Sequence, residues 1–96
     1  MKFNVYAIKD TEKGVYLQPF FVPFFQKTED TIIDFKRNLK AAESVLTKFP
    51  ENFELHHIGE FYDQKGAIVP IEIIKLVSVD ELLKEKKEDV GNTEIN

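Results

Sequence analysis

Apolar and polar residues alternate from Lys2 to Lys9, with Phe3, Val5 and Ala7 on one face and Asn4, Tyr6 and Ile8 on the other. That period of two predicts a β-strand. Asp10-Thr11-Glu12-Lys13-Gly14 follows as a turn, with Gly14 suited to the positive φ of a short hairpin loop. Val15 to Phe20 is the expected partner strand. Pro19 and Pro23 cannot donate ladder hydrogen bonds, which assigns this strand to an edge.

The period then changes. Ile32, Phe35, Leu39, Ala42, Leu46 and Phe49 recur at steps of three and four, one apolar stripe along a helix that Pro50 stops. Thr28-Glu29-Asp30 marks its start, a capping hydroxyl followed by acids over the positive end of the helix dipole. After Pro50 the alternation returns. Phe53, Leu55, His57, Gly59 and Phe61 point one way, and Glu54, His56, Ile58, Glu60 and Tyr62 the other. A second turn, Asp63-Gln64-Lys65-Gly66, leads into Ala67 to Val77, where Pro70 marks a bulge or an edge. Asp80 is the expected cap of a short charged helix through Lys87, and Val90 to Asn96 is expected to fray.

Two similar turns joining apolar strands, with one helix between them, give hairpin, helix, hairpin. The expected fold is α+β: a ββαββ unit with one amphipathic helix on a mostly antiparallel four-stranded sheet, then a short C-terminal helix and a frayed tail. Residues 1–79 form the domain and residues 80–96 the charged helix and tail. The order in which the hairpins pair stays open.

Charge sharpens this division. Up to Val79 there are ten Lys/Arg and eleven Asp/Glu; from Asp80 onward there are three Lys and six Asp/Glu. The body is near neutral and the tail acidic, so no whole-protein attraction draws the chain to phosphate. With no cysteine, disulfides, thiolate metal sites and a Cys nucleophile are excluded. No apolar run approaches the roughly 20 residues of a membrane span. The start lacks the apolar core of a signal peptide, and a cytoplasmic protein is expected.

No catalytic constellation emerges, and no cofactor or metal is expected. His56 and His57 are neighbours on a strand, so their side chains leave opposite faces and cannot share an ion. Glu54, Glu60, Asp63 and Glu72 sit at solvent-face or turn positions. There is no Ser-His-Asp spacing and no glycine-rich phosphate loop. The densest cluster is aromatic: Phe20, Phe21, Phe24 and Phe25, spaced by Val22 and Pro23. Such rings close a core, form a protein contact, or stack bases at about 1–3 kcal/mol each. On the helix, Arg37, Lys40 and Lys48 share a side with Lys36 beside them. A cationic helix edge is a solvated face or a track for a phosphate backbone.

Four segments in order resemble the small nonstructural protein of the gokushoviruses, single-stranded-DNA phages of the Microviridae. They are Tyr6-Ala7-Ile8-Lys9-Asp10; Gly14-Val15-Tyr16 with Pro19-Phe20; the helix around Phe35 to Leu39; and Lys48-Phe49-Pro50-Glu51-x-Phe53-Glu54-Leu55 followed by Ile58-Gly59-Glu60-Phe61. The resemblance covers roughly Lys2 to Gly66. It implies a phage accessory protein made in the host bacterial cytoplasm, absent from the mature virion, and acting in single-stranded DNA synthesis or packaging.

The expected function is therefore non-enzymatic, through single-stranded DNA or through replication or packaging proteins. For direct DNA contact, Tyr16, Phe20, Phe21, Phe24 and Phe25 are the stacking residues and Lys36, Arg37, Lys40 and Lys48 the phosphate contacts. The alternative is a protein-interaction module without DNA binding. A homodimer is expected from the apolar positions Tyr6, Ile8 and Ile58 on the second faces of their strands.

Overall fold

A computed structural model describes residues 1–41 and 44–84 of the chain. The elements run β1 (Lys2–Asp10), β2 (Val15–Tyr16), β3 (Phe20–Pro23), α1 (Thr28–Ala41), α2 (Val45–Lys48), a 3-10 turn (Pro50–Asn52), β4 (Phe53–Tyr62) and β5 (Ala67–Ser78). A further helix, α3, occupies 79–84. The fold is α+β, a single antiparallel sheet with helices on one face.

Both hairpins place their first strand in the middle of the sheet. β1 and β4 pair with each other along almost their whole length, and β5 flanks β4. On the far side of β1, β2 pairs with Lys9–Asp10 and β3 with Phe3–Tyr6. The expected strand Val15 to Phe20 is thus two short pieces on one edge, interrupted around Pro19, which has no N–H to offer the ladder. Between them Leu17 N still donates to Ile8 O at 2.8 Å. Gly14 and Gly66 carry φ of 72° and 65° in the two hairpin turns. The Asp10 carboxylate accepts from the N–H groups of Glu12 and Lys13, at 3.0 Å each, and so holds the first turn.

The single long helix expected to reach Pro50 is two helices. Ser44 caps α2: its hydroxyl accepts from Leu46 N and the Thr47 hydroxyl reaches back to Ser44 N, a capping box. Phe49, assigned to the apolar stripe, consequently lies exposed. Ala42, also assigned to that stripe, lies outside the described residues. Thr28 is already helical rather than a cap, because Thr31 N donates to Lys27 O. At the other end Ser78, not Asp80, caps α3. Glu81 N donates to its hydroxyl at 3.0 Å, and Ser78 N donates to the Glu81 carboxylate at 2.9 Å. The remainder of the expected charged helix, and the tail expected to fray, lie outside the described residues.

The core gathers on the helix side: Tyr6, Val22, Phe35, Leu39, Phe53, Leu55, Val79 and Leu82, with Ile8, Phe20 and Ile32 packed against them. Tyr6, expected on a dimer face, is fully buried here, and Ile8 packs beside it. Strict alternation fails for a local reason. Between β1 and β4 the register shifts at Val5/Tyr6, so Val5 faces Gly59 and Tyr6 faces His57, and Ile58 is an extra residue. Phe53, Leu55 and His57 therefore share the helix face, whereas Phe61 faces the other way, across from Phe3. At the same level β5 also carries extra residues, pairing Pro70 with Gly59 and Ile74 with His57.

Candidate nucleic-acid interface

No helix among the described residues covers the second face of the sheet, and the strand registers fix what it displays. Rows run across the strands: Ile68, Phe61 and Phe3; then Pro70, Gly59, Val5 and Phe21; then Lys75, His56 and Ala7; then Ser78, Glu54, Lys9 and Tyr16. One end is aromatic, the middle is small, and the other end is polar.

At the aromatic end Phe61 is the hub. Its ring lies 5.3 Å from that of Phe21, edge to face, and 6.0 Å from that of Phe3. Phe21 keeps 45 % of its surface exposed. Beside these rings Val5, Ala7 and Gly59 are small and buried. Gly59 is required by close approach: a Cβ there would stand 2.9 Å from the backbone oxygen of Val69.

At the polar end three side chains form a hydrogen-bonded chain. Tyr16 Oη lies 2.9 Å from His56 Nδ1, and His56 Nε2 lies 2.9 Å from Glu54 Oε1. A carboxylate can only accept, so Nε2 carries the proton, and in the neutral ring Nδ1 accepts from the tyrosine hydroxyl. His56 is buried. The hydrogen bond from His56 holds the Glu54 carboxyl below its ordinary pKa of 4.5, with Lys75 adding attraction at 3.5 Å against the opposing cost of burial. The chain fixes the Tyr16 ring, and Lys9 Nζ lies 5.4 Å from that ring's centroid, a cation–π contact.

The expected site residues divide among separate surfaces. Phe21 and Tyr16 lie on the open face. Phe20 turns to the opposite side and stacks on Tyr6 with centroids 5.7 Å apart, inside the core layer. Phe24 and Phe25 follow β3 as an exposed edge-to-face pair. Lys36, Arg37 and Lys40 belong to α1 and Lys48 to α2, in the layer on the other side of the sheet from Phe21. Arg37 is engaged with Asp34 at 3.2 Å. The rings of the open face and the helix cations do not form one surface. Sequence reasoning missed Phe3, Phe61, Lys9 and Lys75 as members of the face, since only the pairing of β1 with β4 and β5 brings them together.

The model of the Phage ORF5 protein family matches residues 3–82, from β1 into α3. The chain belongs to this family. It is accordingly a phage protein, and the match spans every strand of the sheet and nearly all of the described residues. No curated protein and no solved structure matches the chain. Among the described residues, no helix is long and apolar enough to cross a membrane, and no cluster of His, Asp and Glu side chains could hold a metal ion.

Proposed function

We propose that this Phage ORF5 family member is a non-enzymatic accessory protein of single-stranded DNA genome replication or packaging, in a phage of the gokushovirus kind, and that it binds single-stranded DNA on the open sheet face. The supporting observation is the Phe21–Phe61–Phe3 cluster, with Phe21 exposed and Phe61 and Phe3 half-buried beside it, on a face that no helix among the described residues covers, continued by Tyr16 with Lys9 over its ring. Bases stack on such rings whatever their identity. Its place of action is the host bacterial cytoplasm, outside the mature virion.

Electrostatics makes the reading quantitative. The open face supplies two cations, Lys9 and Lys75, and one acid, Glu54. Two phosphate contacts on a single strand give a slope of about −1.4 for log K against log salt. The test is fluorescence anisotropy of a labelled oligonucleotide at several salt concentrations. Phe21→Ala should weaken binding about 5- to 150-fold, the loss of 1–3 kcal/mol of stacking. Arg37→Ala should leave it unchanged. Binding insensitive to Phe21 but lost with Arg37 would move the site to the helix layer.

A second reading is a protein-interaction module without DNA binding. It is favoured by β5, an edge strand with Ile68, Val69, Ile73 and Ile74 exposed. Absence of oligonucleotide binding at low salt would select it.

A further inference from the structure

Between β3 and α1 lies an open cavity of about 470 Å³, away from the open sheet face. Its floor is apolar, built from Ile8, Phe20, Val22 and Phe35, and Asp34 and Asn38 stand on its rim. That volume is within the range of ligand sites, about 300–1,000 Å³. Gln26 ties the rim together, donating to the Thr31 hydroxyl at 3.0 Å and to the Asp34 carboxylate at 3.4 Å. The walls are therefore held in place, and the floor accepts an apolar group.

The character of the rim narrows the occupant. Glu29 and Asp30 fill the first turn of α1, while Asp34 is already paired with Arg37; the first turn therefore carries a local field that repels phosphate and attracts a cation. The fitting partner presents an aromatic ring with a positive charge close behind it. This chain carries that combination next to the cavity itself. Phe24 and Phe25 are 51 % and 67 % exposed, and Gln26, which follows them, is on the cavity wall. Lys27 comes next, exposed, and neither it nor Asp30 forms an ion pair among the described residues.

A projection and a cavity side by side on one surface are self-complementary under a two-fold axis: each copy's projection meets the other's cavity. We propose that the chain forms a two-fold dimer in which Phe25 of each copy enters the α1–β3 cavity of the other, Phe24 packs at its mouth, and Lys27 meets Asp30. The area is sufficient. At about 200 Å² per phenylalanine, the exposed parts of Phe24 and Phe25 amount to about 230 Å² per copy. Counting both copies and the walls they cover gives about 900 Å² of apolar contact. At about 65 % apolar, the usual homodimer composition, the whole interface is about 1,400 Å², within the 1,200–2,000 Å² of stable complexes. The dimer leaves the Phe21–Phe61 face open, so it holds whether or not that face binds DNA.

The test is sedimentation equilibrium of the full chain from micromolar to millimolar concentration. The wild type should reach twice the chain mass. Phe25→Ala, at an exposed position, should raise the dissociation constant at least tenfold while the circular dichroism spectrum stays unchanged. Lys27→Glu should also weaken association, and Lys27→Glu combined with Asp30→Lys should recover it. A strictly monomeric wild type, or a Phe25→Ala variant that associates as tightly, overturns the proposal. Failure of the paired charge exchange to recover association overturns the docking geometry.

Discussion

Replacing Tyr16 by Phe removes one oxygen and tests how the polar end of the open face is held. The hydroxyl donates to His56 Nδ1 at 2.9 Å, and His56 is 7 % exposed. Glu54 already occupies Nε2, so no tautomer of the neutral ring can satisfy both nitrogens without that hydroxyl. The variant loses a hydrogen bond of about 1 kcal/mol and leaves a mostly buried acceptor unpaired, an effect of about 1–3 kcal/mol. Tyr16 is itself only half-buried, and water reaching the gap recovers part of this. The expected net loss is about 1–2 kcal/mol, or about 0.5–1 M in the urea midpoint at an m-value of about 2 kcal/mol/M. Tyr62→Phe is the internal control, because its hydroxyl also makes a 2.9 Å hydrogen bond, to the Glu60 carboxylate, but in an exposed setting, and it should not move the midpoint. Nitrogen-15 spectra of the imidazole should show the proton on Nε2 in the wild type. Equal midpoints for Tyr16→Phe and wild type, or a proton on Nδ1, would refute the assigned chain of donors.

Two further outcomes follow from the same face. Gly59→Ala places a methyl 2.9 Å from the Val69 backbone oxygen, and a paired strand cannot retreat freely, so stability should fall by about 1–3 kcal/mol in urea unfolding with an unchanged m-value. Glu54→Gln probes pH. The folded Glu54 carboxyl titrates below its ordinary 4.5, chiefly through the His56 hydrogen bond, so its contribution is present above about pH 4.5 and is lost as pH falls through the folded value. The wild type should therefore exceed the variant in urea midpoint at pH 7, and the gap should close at pH 3; a gap that widens in acid would contradict the sign.

What the sequence disclosed was local. The turn at Gly14 requires only positive φ at one residue, and the alternation of β1 is carried by its own side chains; both are visible in a short window. The break before α2 was hidden because the apolar stripe runs through it, while the Ser44–Thr47 capping box that restarts the helix uses side chains helices also carry internally. Strand order was hidden for a different reason. Both hairpins contain a strand able to sit in the centre, and the choice of β1 beside β4 depends on packing between segments far apart in the chain. The open face shared that fate: Phe21 stood out within an aromatic run, but its neighbours Phe3 and Phe61 come from distant strands.

The extra residue at Ile58 decides which side of the sheet each aromatic joins. Under strict alternation Phe61 would follow Phe53, Leu55 and His57 onto the helix face. At that end the helix face instead displays Lys2, Glu60 and Tyr62, joined by a 3.4 Å ion pair and a 2.9 Å hydrogen bond. Without the extra residue Glu60 and Tyr62 would trade faces with Phe61, while Lys2, on β1, would stay where it is. The shift at Val5/Tyr6 against Gly59/His57 prevents this: it keeps Leu55 and Tyr6 beneath the helices while turning Phe61 to Phe3 and Phe21. β5 matches the shift with its own extra residues opposite Ile58, so the irregularity crosses from one strand to the next instead of being absorbed as a local defect. The aromatic cluster is therefore a product of the register and not a surplus of apolar side chains left over from the core. A one-residue change at that level would dismantle the open face and the core together, which ties the proposed binding surface to the same pairing that makes the domain fold.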